Sequence, residues 1–118
     1  MELREIEQTL KENIDILKHY GVKHQMFVWI EEMSELTKVI CKWARVFDEL
    51  DGGITEELLV EFTDEITDVT VSLDQIKYAI KLFECDLWDN YKFKVDRQQK
   101  RISDEIYKRI LRDVQEKW

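Results

Sequence analysis

From Met26 to Phe47 the chain reads MFVWIEEMSELTKVICKWARVF, and this stretch decides the fold. Met26, Trp29, Met33, Leu36, Ile40, Trp43 and Phe47 recur at alternating spacings of three and four. That is the period of one helical face, whereas a half-buried strand would alternate every second residue. Upstream, Leu3, Ile6, Leu10, Ile14 and Leu17 keep the same spacing, which predicts an amphipathic first helix ending near Tyr20-Gly21. Downstream, Asp51-Gly52-Gly53 breaks the pattern, and Thr55 is the expected N-cap of a third helix with Glu56 and Glu57 in its first turn. The stripe of that helix is Leu58, Phe62, Ile66, Val69, Leu73, Ile76, Ile80 and Phe83. From about Asp86 a last helix carries Leu87, Tyr91, Val95, Ile102, Ile106, Ile110 and Val114. Its pattern slackens between Lys94 and Arg101, where a break with Ser103 capping a separate segment is an alternative.

Composition agrees with an all-α reading. The 118 residues include no proline and only three glycines, Gly21, Gly52 and Gly53, so helix breakers are confined to two places. The length fits a single domain over residues 1–118. A formal charge of -8 argues against a nucleic-acid binder that relies on a broad basic face. Cys41 and Cys85 have neither zinc spacing nor the density of a disulfide framework. With no signal-peptide pattern at Met1 to Ile6 and no run of 18 apolar residues, a cytoplasmic protein that does not enter the membrane is expected.

Two acidic segments carry the chemistry: Glu31-Glu32-Met33-Ser34-Glu35 on the second helix and Glu65-Ile66-Thr67-Asp68 on the third. Each holds a carboxylate pair at i, i+3, one turn apart on nearly one face. Helix acids are usually solvated, but these interrupt hydrophobic rows. Glu65 falls inside the arc of Leu58, Phe62, Ile66, Val69 and Leu73, with Asp68 at its edge, while Glu32 and Glu35 share a side with Val28, Val39 and Val46. Buried unpaired carboxylates cost several kcal/mol in effect, and from Val46 to Ile76 ten acids accumulate without one lysine or arginine. A bound cation offsets that cost, and carboxylates without histidine or thiolate point to magnesium or manganese over zinc. Neither His19 nor His24 stands three residues after a glutamate, as a di-iron site of the carboxylate-bundle type needs.

These two segments resemble the signature of the all-α nucleoside triphosphate pyrophosphohydrolases, the MazG-like superfamily: Glu-x-x-Glu on one helix and Glu-x-x-Asp on the next. Glu32-Met33-Ser34-Glu35-Leu36 is similar to the first half and Glu65-Ile66-Thr67-Asp68-Val69 to the second. The connection of 29 residues is at the long end for that family, the extra length lying in Arg45 to Thr55. The resemblance covers roughly Lys23 to Arg101. It implies an antiparallel bundle of four to five helices completed by dimerisation, as a homodimer or homotetramer. It also implies magnesium ligation by Glu32, Glu35, Glu65 and Asp68, with Glu31 acting from just outside the ligand set. The implied chemistry is attack of water on the α-phosphorus of a nucleoside triphosphate, giving monophosphate and pyrophosphate, with Glu35 preferred to Glu32 as the proton acceptor.

Asn90, Lys94, Arg97 and Arg101 form one stripe on the last helix, and they read either as donors to the triphosphate or as a solvated face balancing the acid run. Trp29, Trp43 and Trp88 are flat surfaces available to a base, although Trp29 and Trp43 sit in the core stripe, where packing is the simpler role. Two alternatives remain: a phosphoribosyl-ATP pyrophosphohydrolase of the same family, and a non-catalytic helical interaction module whose acid patch takes a basic partner.

Overall fold

The computed structural model describes residues 1–117 and holds four helices: α1 (Leu3–Tyr20), α2 (Val22–Val46), α3 (Glu56–Ala79) and α4 (Glu84–Glu116). No strand occurs among the described residues. None of the four helices is long and apolar enough to cross a membrane. The described residues cluster into two compact units, Met1–Lys81 and a second beginning at Leu82.

The boundaries follow local chemistry. Gly21 ends α1 and begins α2 in one residue, its N–H donating to the Leu17 carbonyl at 2.8 Å. Its φ of +89° is one that glycine adopts without a Cβ penalty. Thr55 caps α3 as expected, its hydroxyl accepting from the Leu58 N–H at 3.2 Å. In the preceding turn Gly52 has φ +76°, and a Cβ there would stand 3.3 Å from the Phe47 ring. The third helix stops at Ala79, short of the Ile80 and Phe83 assigned to its stripe, because Lys81 turns into the left-handed region at φ +56°. The last helix then begins at Glu84, two residues earlier than expected, and runs unbroken through Ser103. It is about 50 Å long at 1.5 Å per residue and has no buried residue.

In the first unit α2 and α3 run antiparallel: Gln25 meets Gln75, while Lys42, farther along α2, meets Glu61, earlier on α3. Leu17, Val39, Leu58 and Ile76 are the buried apolar residues. Beside them a chain of amides crosses three helices. The His24 imidazole Nδ1 donates to Gln25, Gln25 to Gln75, and Gln75 to Asn13, each at 2.7 Å, and Asn13 donates to the Val71 carbonyl at 3.1 Å. Gln75 is 1 % exposed, and both its amide oxygen and its amide nitrogen have a partner, as buried polar groups need.

The seven-residue stripe read on α2 is not its packed face. Trp29, Leu36 and Trp43 are half-buried, but Met26, Met33, Ile40 and Phe47 are exposed, Ile40 by 47 %. The buried positions of α2 are Gln25 and Val39, on the strip that also holds Val28, Glu32 and Val46. α2 is apolar over more than half its circumference, and periodicity cannot tell which part of so wide an arc meets α3.

Candidate metal centre

Between the Gln25–Gln75 bond and the Lys42–Glu61 pair, the antiparallel α2 and α3 bring Glu32, Glu65 and Asp68 together. Each offers a carboxylate oxygen, and these oxygens lie within 4.8 Å of one another. Glu32 and Glu65 are half-buried, and Asp68 is exposed. The i, i+3 spacing puts Glu65 and Asp68 on one face of α3, and Glu32 reaches them from the packed strip of α2. The hydroxyls inside the two motifs turn back to their own helices: Ser34 donates to the Ile30 carbonyl at 3.0 Å and Thr67 to Thr63 at 2.6 Å.

Burial is the larger cause, and the neighbouring Asp68 carboxylate the next, that hold the Glu32 carboxyl above its ordinary range; Glu65, Glu31 and Glu35 add to it. Glu65 is raised in the same order, by burial first and then by Asp68, Glu35, Asp64 and Glu61. In both, burial penalises the charged form and the surrounding carboxylates add like-charge repulsion.

The donor set fits a hard divalent cation. With bonds of ~2.1 Å, neighbouring oxygens around octahedral magnesium stand about 3.0 Å apart and opposite ones about 4.2 Å. Oxygens within 4.8 Å of one another must therefore draw together by side-chain rotation before all three could hold one ion. Histidine and thiolate are both missing from the group, which disfavours zinc.

Glu35, expected as the fourth ligand, is not in this group. Its carboxylate accepts from Lys38 one turn on, at 3.1 Å. An exposed i, i+3 pair of this kind contributes about 0–1 kcal/mol, so releasing Glu35 costs little. Glu31 is exposed, and its charge adds to that on Glu32. Asn90, Lys94, Arg97 and Arg101 lie exposed along α4, in the second unit. There the Arg97 guanidinium sits 6.0 Å from the centre of the Phe93 ring, and Arg101 donates to Gln98 at 3.5 Å. Trp43 donates to the Gly53 carbonyl at 2.7 Å and meets Phe47 and Phe62 edge-on, closing one end of the α2–α3 pair. Trp29 is half-buried, and its indole N–H has no hydrogen-bond partner among the described residues. Trp88 is exposed and stacked on Tyr91.

Sequence reasoning missed the cations beside the acids. Lys42 donates to both oxygens of Glu61, at 3.1 and 2.9 Å, across the two helices. Glu35, Lys38, Lys42, Arg45, Glu61 and Glu65 line a groove of about 470 Å³. Lys38, Lys42 and Arg45 stand at i, i+4 and i+7, a signal that was present but overshadowed by the acids around it. Compared with protein-family models, curated proteins and solved structures, the chain finds no match in any of the three.

Proposed function

We propose that this chain is a magnesium-dependent nucleoside triphosphate pyrophosphohydrolase, with manganese as a working substitute. The observation that carries the reading is the convergence of Glu32, Glu65 and Asp68 from two helices, with Glu32 and Glu65 both raised by burial and then by the carboxylates around them. The sequence resemblance supplies the reaction class. Glu32, Glu65 and Asp68 would hold the cation, and Glu35, freed from Lys38, would complete the set or take the proton from water. A divalent cation supplies neutralisation of phosphate charge and acidification of a nearby water. In the reaction an oxygen–phosphorus bond forms at the α-phosphorus and the bond to the bridging oxygen breaks, so that pyrophosphate leaves. The assignment of Asn90, Lys94, Arg97 and Arg101 as phosphate donors rests on the resemblance.

A second copy belongs to the same proposal. Burying an apolar side chain contributes about 1.5–3 kcal/mol, and the four buried among the described residues make a small core. Meanwhile Met26, Met33 and Ile40 on α2 and Ile66 on α3 are exposed, apolar surface that a second copy would cover. We place the enzyme in the cytoplasm as a homodimer or homotetramer.

The test is pyrophosphate release from a panel of ribo- and deoxyribonucleoside triphosphates with magnesium, with Glu65→Gln as the inactive control. Release by wild type alone supports the reading. A panel that yields neither pyrophosphate nor phosphate refutes it, and a thermal stability unmoved by magnesium would then favour the interaction module.

A further inference from the structure

We propose that the groove beside the acid cluster is the seat of the substrate's polyphosphate chain, held by Lys38, Lys42 and Arg45 of α2. This rests on the metal-site reading above. The three cations span about 10 Å of helix axis and share one wall of the groove, whose acidic members are Glu35, Glu61 and Glu65.

Three positive and three negative side chains balance in the metal-free groove, so it has no standing attraction for an anion. Lys38 is held by Glu35 and Lys42 by Glu61, and among the described residues no hydrogen bond or ion pair engages the Arg45 guanidinium. A cation at Glu32, Glu65 and Asp68 changes the balance. Glu65 is committed to it, and Glu35, whose charge already acts on both Glu32 and Glu65, is drawn the same way. Lys38 then loses its partner, and Glu61 alone faces three cations. The groove becomes positive only when the site is loaded, beside the ion that a phosphate oxygen would share. Glu35 is thus an exchangeable counter-ion, and metal and polyphosphate binding are positively coupled. Arginine and lysine supply the charge-assisted hydrogen bonds that phosphate oxygens accept.

Inorganic tripolyphosphate is the probe, titrated calorimetrically into the full chain with and without excess magnesium. Binding is expected with magnesium and should weaken by about tenfold or more without it. Lys38→Gln, Lys42→Gln and Arg45→Gln should each weaken binding of the magnesium complex by about tenfold, the loss of one charge-assisted hydrogen bond. The magnesium-induced rise in Tm should persist in all three. In Lys38→Gln the affinity for magnesium alone should increase, since Glu35 no longer has to be released. Lys11→Gln, on α1, controls for net charge and should change nothing. Wild-type affinity in all three variants, or an equal loss in Lys11→Gln, overturns the groove assignment while leaving the metal site standing. A wild-type chain that gains no stability from magnesium overturns the metal site itself.

Discussion

Replacing Glu32 by Gln separates a metal site from a solvated acid patch, because the two effects of the substitution have opposite signs. Without metal, the change removes the repulsion between Glu32 and Asp68, whose nearest ligand oxygens lie within 4.8 Å. Glu32 is half-buried and Asp68 exposed, so a water-like dielectric is the right choice, and the repulsion is about 0.9 kcal/mol. For 118 residues, an unfolding entropy of about 2.1 cal/mol/K per residue makes 1 kcal/mol equal to about 4 °C in Tm. The variant should therefore melt about 3–4 °C above wild type in a chelator. Magnesium at about ten times its Kd stabilises wild type by about 1.4 kcal/mol, or about 6 °C. With a ligand lost and affinity down about tenfold, the same magnesium adds under about 2 °C to the variant. Scanning calorimetry at matched ionic strength should show the initial advantage of the variant erased as magnesium rises. An offset that stays constant at every magnesium concentration, or a wild type with no response, refutes the site.

Glu32 and Glu65 have folded carboxyls above their ordinary value, so the folded state holds their protons more tightly than the unfolded one. The metal-free protein should lose stability as pH rises from the ordinary carboxylate range through the raised values, and the magnesium increment in Tm should grow over the same window and fade as pH falls back through it. A magnesium increment that is flat with pH across that window counts against these two ligands. Gln75→Leu strands the Gln25 donor and the Asn13 acceptor at a buried position and should cost roughly 1–3 kcal/mol, seen as a Tm lower by about 4–12 °C; a change within about 2 °C would show that the chain of amides contributes nothing. Ile40→Glu, on the exposed face of α2, should halve the mass measured by light scattering while far-UV circular dichroism stays helical; a wild type already monomeric at micromolar concentration sinks the second copy.

Helix positions were readable because their ends are written in local chemistry: Gly21, the Asp51-Gly52-Gly53 turn and the Thr55 cap all lie where sequence puts them. Lys81 was not, since a lysine in the left-handed region leaves no compositional mark. Glu32, Glu65 and Asp68 were legible as a group because each interrupts an apolar row. Glu35 carries the same mark, yet one turn on it has Lys38, and reading acids without their i+3 neighbours hid that competition. The Lys42–Glu61 pair and the Asn13–Gln75–Gln25 chain join residues distant in sequence, and polar contacts of that kind have no period to detect.

The amide chain also works as a ruler. Gln25 precedes Glu32 by seven residues on α2, and Gln75 follows Asp68 by seven on α3. Both intervals are two helical turns, about 10.5 Å, so the bonded glutamines and the facing acids share the same sides of the same rods. Sliding one rod by a turn, about 5.4 Å, would still leave hydrophobic side chains against hydrophobic side chains, but it would tear the glutamine clasp and scatter the carboxylates. An uncharged pair two turns away thereby fixes the alignment on which gathering like charges depends, much as a lone polar residue sets the stagger of a coiled coil.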